Sequence, residues 1–181
     1  MEKQIIYSLP LNNKDRKDNE TSIYRHPMSV DKNLTTFVDI QTLHQVYTKA
    51  LSRPKQPLLG RRMIDSNGNL TEKFTWFSVE KVFDTAKKLG SGLINLDLLG
   101  VNEEWQNYSL KFVGIYSKNS VRYATLDIAC GIYGLTSIPI YDTLGEEATE
   151  FAFQQTKMKT CFVTCNHVEK IIKHKQEQNM F

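Results

Sequence analysis

Apolar residues in the C-terminal half of the chain fall into three short blocks, each followed by a helical repeat. Residues 112–116 (FVGIY) form a compact apolar run, which is typical of a strand buried on both faces. Residues 137–141 and 160–164 give two further strand patterns, and apolar positions at helical spacing follow each strand. This β-α-β-α-β-α order with short connections predicts an α/β fold with a parallel sheet and right-handed crossovers.

Residues that can cap a helix stand before each of these helical repeats. Asn119 or Ser120 can accept a hydrogen bond from the first turn of the first helix. Thr143 and Glu146 have the spacing of a capping box, in which each side chain bonds the other residue's backbone N–H. Residues 166–169 (NHVE) repeat that spacing before the last helix. The sequence therefore predicts a side-chain cap for all three helices.

The preceding segment predicts a helix and a β-hairpin. Apolar residues over 43–51 recur at the spacing of one helix face, and Thr42 begins a capping box directly before them. Residues 57–64 and 74–77 have strand character and are separated by the turn-forming sequence DSNGN at residues 65–69. We expect these two strands to pair as a hairpin.

A longer helix is expected after the hairpin, with Ser78 as its cap. Gly90 and Gly92 lie inside its apolar repeat, where each costs about 1 kcal/mol relative to alanine. Glycines that lower helix stability in this way indicate that the helix packs closely against a neighbouring element. The alternative is that the helix ends near Gly90. Residues 99–109 are expected to be a polar connection.

The start of the chain differs in composition from the rest. Residues 1–35 carry few apolar side chains and many Asn, Lys and Asp, so we expect an extended lead-in there. The α/β domain, with the hairpin and its helices placed before the parallel-sheet unit, is then expected over residues 36–181.

Composition and charge exclude several classes of protein. The chain has 181 residues, 40% hydrophobic and 24% charged, which is ordinary for a globular protein. A net charge of +3 is too small to indicate a nucleic-acid partner. The sequence contains no apolar stretch of membrane-spanning length and no secretory type of apolar region at its start. Three cysteines, an odd number, favour a reducing, intracellular compartment.

Signals for catalysis and for metal binding are weak. Neither G-x-G-x-x-G nor G-x-x-x-x-G-K-[ST] occurs, which disfavours a dehydrogenase or a P-loop enzyme. Cys161, Cys165 and His167 are close in sequence and could be considered as metal ligands. Along a strand and the residues that follow it, however, their side chains would point to opposite faces. A packing role for these residues is therefore favoured over a metal site. Cys130 is expected in the core. The histidines lie beside no nucleophile, so we assign no catalytic, cofactor-binding or metal-binding residue.

The segment 139–147 (PIYDTLGEE) combines a strand end, a turn and a helix start. The turn consists of Tyr141, Asp142, Thr143, Leu144 and Gly145. The acidic residues at positions 146 and 147 stabilise the positive end of the helix dipole, and they disfavour an anion site there. A structural role for this turn is favoured over direct contact with a ligand.

Two motifs resemble those of long-chain acyl-CoA synthetases, a branch of the adenylate-forming, AMP-binding superfamily. Residues 113–119 (VGIYSKN) resemble the family's VGIFSKN strand and turn, and residues 138–145 (IPIYDTLG) resemble its VPLYDTLG segment. Weaker matches occur in the same order at residues 24–25 and 76–93. The sequence is similar to the family over nearly all of its length.

This resemblance implies that residues 36–181 form an incomplete N-terminal α/β domain of such an enzyme. Family members use ATP and Mg²⁺ to convert a fatty acid to an acyl-adenylate, and then transfer the acyl group to coenzyme A. The family's Ser/Thr/Gly-rich ATP loop and its catalytic lysine have no match in this sequence. We therefore expect the chain alone to be inactive and to bind no cofactor.

Three interpretations follow. The chain is an N-terminal segment of a longer fatty acid–CoA ligase, a naturally short and non-catalytic synthetase-like subunit, or an unrelated α/β binding module. In the first, the remainder of the synthetase, or a protein partner, is expected to cover exposed sheet surface. A cytoplasmic location is expected, and any peripheral attachment to an organelle membrane would need parts that this sequence does not contain.

Overall fold

The computed structural model describes residues 6–11, 17–31, 39–100, 103–105, 108–141 and 143–178. The chain divides into two compact units, Met1–Thr42 and Leu43–Phe181. In the first unit, strand β1 (Leu9–Pro10) pairs antiparallel with strand β2 (Tyr24–Arg25), and a 3₁₀ helix follows at Pro27–Ser29. The second unit carries the longer helices and strands.

Helix α1 (Leu43–Ala50) opens the second unit and confirms the predicted helix. Its apolar face is only partly packed, since none of its residues is buried and the side chains of Leu43 and Val46 are exposed. The Tyr47 ring packs edge-on against Phe83 with ring centroids 5.6 Å apart. This contact joins α1 to the helix that follows the hairpin.

The predicted hairpin is confirmed. Strand β3 (Pro57–Ile64) pairs antiparallel with strand β4 (Leu70–Ser78), which begins before the predicted position. The Asp65 carboxylate closes the turn by accepting the backbone N–H groups of Asn67 and Asn69, each at 2.9 Å. These hydrogen bonds, first of all the one from Asn69, lower the pKa of Asp65.

Helix α2 (Val79–Asn95) continues through both of its interior glycines. Gly90 is buried against the ring of Tyr133, so the predicted close packing is confirmed there and a helix end near Gly90 is wrong. No neighbouring atom lies within 4 Å of the Cβ position of Gly92, so close packing is the wrong explanation for that residue.

No helix among the described residues is both long and apolar enough to cross a membrane.

A short pair of strands that begins inside residues 99–109 corrects the predicted polar connection. Strand β5 (Glu103–Trp105) pairs antiparallel with strand β6 (Tyr108–Leu110). Strands of three residues are too short to produce a recognisable alternation of apolar and polar positions. The backbone pairing was therefore invisible in the sequence pattern.

The predicted parallel sheet is confirmed, and its central strand has the predicted bounds. Strand β7 (Phe112–Tyr116) lies between strand β8 (Thr136–Ile140) and strand β9 (Thr160–Val163), and both neighbours run parallel to it. Three helices alternate with these strands along the chain: α3 (Val121–Tyr133), α4 (Glu146–Thr156) and α5 (Cys165–Gln178). All five residues of β7 are buried, as expected for a strand covered on both faces.

Alternate residues of β7 point into two separate apolar clusters. Val113 and Ile115 pack with the apolar faces of α2 and α3, through residues such as Leu93 and Leu126. Phe112 and Tyr116 pack on the opposite face with residues of α4 and α5. The sheet thus has helices on both faces, which is the layered arrangement predicted for alternating strands and helices.

Side-chain caps begin α2 and α3 as predicted. The Ser78 hydroxyl accepts the backbone N–H of Lys81 at 3.3 Å, and the Ser120 hydroxyl accepts that of Tyr123 at 3.1 Å. Between the two caps considered for α3, the structure therefore uses the serine.

The capping boxes predicted for α4 and α5 are wrong. Helix α4 has Gly145 as its N-cap, with no side-chain hydrogen bond, so Thr143 lies two residues too early to cap it. Helix α5 begins at Cys165, so Asn166 already lies inside the helix. In both cases the helix boundary differs by two residues from the one that the box requires, because element boundaries are the part of a fold that sequence patterns locate least well.

Candidate functional site

The carboxyl ends of β7 and β9 meet at one edge of the sheet, and the helices that follow them lie on opposite faces. Strand β7 ends at Tyr116 and leads into α3, which packs beside α2. Strand β9 ends at Val163 and leads into α5, which packs on the other face with α4. Neighbouring strands whose helices diverge in this way leave a crevice between them, where open α/β sheets commonly bind ligands.

A groove of about 960 Å³ opens at this crevice. Its floor is apolar and comes from α2, α3 and the two strands. The floor residues are Val82, Leu89, Ile115, Leu126 and Phe162. The volume lies at the upper end of the roughly 300–1,000 Å³ that is usual for small-molecule sites.

Three cationic side chains line the groove from three separate elements: Arg61 from β3, Lys81 from α2 and Arg122 from α3. All three residues are exposed. The lining among the described residues includes no aspartate or glutamate. The ion pairs in the described ranges also leave out these three cations. The groove is therefore apolar at its floor and positively charged at its rim.

Short polar residues from the strand ends complete the lining. Ser117 directly follows β7, Ser120 caps α3, Thr164 directly follows β9, and Asn166 lies in the first turn of α5. The Thr164 N–H donates to the Tyr116 carbonyl at 3.2 Å. Its Oγ1 is buried and has no hydrogen-bond partner in the part of the chain that the structure describes. A buried hydroxyl without a hydrogen-bond partner lowers the stability of the fold by about 1–3 kcal/mol. Thr164 therefore places an unfavourable polar group beside an apolar floor.

Sequence reasoning did not identify this groove, because its lining comes from segments spread over more than a hundred residues. Each cation, taken alone, is an ordinary surface side chain. The available signal was positional: Ser117 and Thr164 directly follow two strand patterns, at the edge where α/β sheets carry their ligand contacts.

The turn singled out in the sequence lies after β8, away from the groove lining. The Leu144 N–H donates to the Tyr141 carbonyl at 3.0 Å, and the Gly145 carbonyl accepts the Thr149 N–H at 3.1 Å. Tyr141 is 65% exposed. Thr143 precedes this helix start, and Asp142 lies outside the described residues. The structural role of the turn stays a prediction.

The cysteine and histidine residues considered as metal ligands point in different directions. Cys161 packs against Gly114 within the sheet, whereas Cys165 is exposed at the start of α5. His167 is buried, and its ring stacks on Tyr116 with centroids 4.0 Å apart. The described residues contain no group of three or more His, Cys, Asp or Glu side chains suited to a metal ion.

Burial separates the three thiols chemically. Desolvation raises the pKa of the Cys161 thiol to about 12, and it raises the pKa of the Cys130 thiol to about 11. Because the thiolate is the reactive form, both residues are expected to be inert at pH 8. Cys165 is exposed to solvent, where a reagent can reach it.

The folded chain is therefore expected to react rapidly with a thiol reagent at Cys165 alone, and at all three cysteines after unfolding in urea. Mass spectrometry of the labelled peptides would identify the sites. The variant Cys165→Ala serves as the control and should lose the rapid reaction. Rapid labelling of Cys161 in the folded chain would contradict its placement inside the sheet.

Together, the fold and the site define an α/β domain whose parallel sheet carries a ligand-sized groove at its carboxyl edge. Comparison with protein families assigns the chain more narrowly. The family model described as AMP-binding enzyme matches residues 55–180, and the chain belongs to this family. It is also similar to long-chain acyl-CoA synthetases.

Two relatives and one solved structure illustrate the similarity. Long chain acyl-CoA synthetase 4 of Arabidopsis thaliana is 32% identical over 121 residues, covering 66% of this chain and 16% of the relative. The peroxisomal acyl-CoA ligase 891 of Penicillium roqueforti (strain FM164) is 27% identical over 176 residues, covering 96% of this chain and 24% of the relative. The chain thus spans a quarter or less of the length of these curated relatives.

The solved structure shares the fold. The A domain of carboxylic acid reductase from Segniliparus rugosus, in complex with AMP and a co-purified carboxylic acid, matches with a TM-score of 0.57 and 21% identity. The match covers 77% of this chain and 23% of that chain. This chain therefore shares its fold with part of that A domain.

Proposed function

We propose that the chain is the N-terminal part of a long-chain fatty acid–CoA ligase, which activates a fatty acid through an acyl-adenylate. The match of residues 55–180 to AMP-binding enzymes carries the proposal. The motifs at residues 113–119 and 138–145, which resemble those of long-chain acyl-CoA synthetases, support the long-chain branch.

The proposed reaction has two steps. The fatty-acid carboxylate attacks the α-phosphorus of ATP, so that an acyl-adenylate forms and pyrophosphate leaves. The thiol of coenzyme A then attacks the acyl carbonyl, a thioester forms, and AMP leaves. Mg²⁺ would neutralise charge on the phosphates. We assign no catalytic, cofactor-binding or metal-binding residue in this chain, which would supply the sheet and helices that support the chemistry of other segments.

An assay of the complete protein that carries this chain tests the proposal. With palmitate, ATP, Mg²⁺ and coenzyme A, it should form palmitoyl-CoA, AMP and pyrophosphate, and omission of any substrate should abolish the thioester. The 181-residue chain alone should form none of these products. A folded complete protein without this activity would overturn the proposal and favour a non-catalytic, synthetase-like subunit.

We also propose that a further part of the synthetase, or a protein partner, covers the outer face of the β3–β4 hairpin. The rings of Phe74 and Trp76 stack on this face with centroids 5.7 Å apart, and Trp76 is 60% exposed. Exposed aromatic pairs of this kind are typical of interaction surfaces.

All three cysteines are free, which supports an intracellular location.

A further inference from the structure

We infer that the groove at the carboxyl edge of the sheet is a docking site for an acidic, amphipathic α-helix of a separate protein. The bound helix places apolar side chains on the floor of the groove and Asp or Glu side chains at its rim. The inference goes beyond the proposed function and does not rest on it, because it uses only the residues that line the groove.

The spacing of the lining residues fits a helical occupant. On α2, Val82, Thr85 and Leu89 follow one another at intervals of three and four residues, so they lie along one face of that helix. On the neighbouring helix α3, Val121 and Thr125 are four residues apart and also line the groove. Two adjacent helices with such rows of side chains accept a third helix, whose side chains pack between theirs.

The floor supplies apolar anchoring positions. Leu89, Tyr123 and Phe162 are partly buried and pack against the core cluster that contains Ile115 and Leu126. Their positions are therefore fixed by a close-packed core, while they still line the groove. Apolar side chains on one face of a bound helix would cover this surface and remove it from water, as in other helix-in-groove complexes.

The charges at the rim select an acidic partner. Arg61, Lys81 and Arg122 are exposed and line the groove, and its described lining contains no aspartate or glutamate. Asp84 on α2 lies outside the lining and pairs with Lys88 at 2.8 Å. Guanidinium groups bind carboxylates through paired hydrogen bonds. A partner with acidic side chains is therefore complementary to the groove, whereas a basic partner is repelled.

The distribution of the charges distinguishes a helix from a smaller ligand. The three cations come from three separate elements, so an occupant that pairs with all of them must carry several carboxylates. A helix can present acidic residues on both sides of its apolar face. The lining of α2 from Val82 to Leu89 extends about 10 Å along the helix axis, which is about two turns of an occupying helix.

Fluorescence anisotropy titration of the 181-residue chain with labelled synthetic peptides tests the inference. The first peptide is an amphipathic helix of about 16 residues, roughly 24 Å long, with leucines on one face and glutamates on both sides of that face. The second has lysine at every glutamate position, and the third has the composition of the first in scrambled order. We expect saturable binding of the first peptide, with the other two at least about tenfold weaker.

Three variants locate the site. Arg122→Glu replaces attraction by repulsion and should weaken binding of the acidic peptide at least about fivefold, while it strengthens binding of the lysine peptide. Lys87→Glu makes the same charge change at an exposed position of α2 outside the groove and should leave binding of the acidic peptide unchanged. Thr85→Trp fills the groove from an exposed lining position and should abolish saturable binding. Thermal unfolding of each variant verifies that it is folded.

The inference is overturned if the acidic peptide shows no saturable binding, if the lysine or scrambled peptide binds equally well, or if folded Thr85→Trp binds unchanged. The acidic peptide should also bind the complete protein that carries this chain. Binding to the 181-residue chain alone would mean that the protein's own chain fills the groove, which contradicts docking of a separate protein. None of these results bears on the ligase assay, so failure of this inference is distinguishable from failure of the proposed function.

Discussion

Replacing Gly114 with valine is expected to destabilise the second unit by about 3 kcal/mol, although valine is among the residues that strands favour. Gly114 lies at the centre of β7, where both neighbouring strands pair with it. A Cβ atom at this position would lie 2.7 Å from the Sγ of Cys161 and closer still to the Sδ of Met158, which is fully buried. The new methyl groups have no space, so packing outweighs propensity.

Urea unfolding followed by circular dichroism would measure this loss as a lower midpoint with an unchanged slope. A double-mutant cycle of Gly114→Ala with Met158→Ala should show coupling of at least about 0.5 kcal/mol, because the shorter side chain relieves the overlap. A Gly114→Val variant as stable as the unchanged chain would contradict the packing of β7 against Met158 and Cys161.

Alanine substitutions at Gly90 and Gly92 are expected to have opposite effects, although both residues lie in α2. A Cβ atom at Gly90 would overlap the ring of Tyr133, whose hydroxyl donates to the Lys87 carbonyl at 2.9 Å and so holds the ring in place. Gly90→Ala should therefore destabilise the chain by about 2 kcal/mol. Gly92→Ala meets no neighbouring atom and should stabilise it by up to about 1 kcal/mol through helix propensity.

The same unfolding experiment measures both variants, and each serves as the other's control. In a Tyr133→Ala background, Gly90→Ala should change from destabilising to neutral or stabilising. If both glycine substitutions stabilise the unchanged chain equally, α2 does not pack against α3 as described.

The strands that the sequence predicted best are those whose patterns are set by local chemistry. Residues 112–116 are apolar throughout and are buried throughout, because helices cover both faces of β7. The hairpin of β3 and β4 was predictable because the Asp65 turn carries its own hydrogen bonds. In both cases the information needed lies within a few residues.

The errors arose where tertiary contacts decide the outcome. Gly90 and Gly92 look alike in sequence, yet only Gly90 faces a ring from α3, about forty residues away in the chain. The Thr143–Glu146 box has the right residues, but the N-cap of α4 is Gly145, which has no side chain to make a capping hydrogen bond. A sequence pattern alone does not show at which of two nearby residues a helix begins, because the packing of the helix decides it.

The groove was the least predictable feature. Arg61, Lys81 and Arg122 meet only because the hairpin, α2 and α3 pack around the end of β7. The family assignment needed no such assembly, since residues 113–119 and 138–145 carry it as continuous motifs. Sequence therefore indicated the class of protein, and the structure was needed to locate a candidate binding site.

The first half-reaction is the most direct test of the proposed function, in which the complete protein activates a fatty acid as an acyl-adenylate. The complete protein is incubated with ATP, Mg²⁺ and palmitate in the absence of coenzyme A, and the products are identified by mass spectrometry. We expect palmitoyl-adenylate and pyrophosphate, with neither formed when palmitate is omitted. Release of ADP and phosphate, or a folded protein that forms no adenylate, would contradict it.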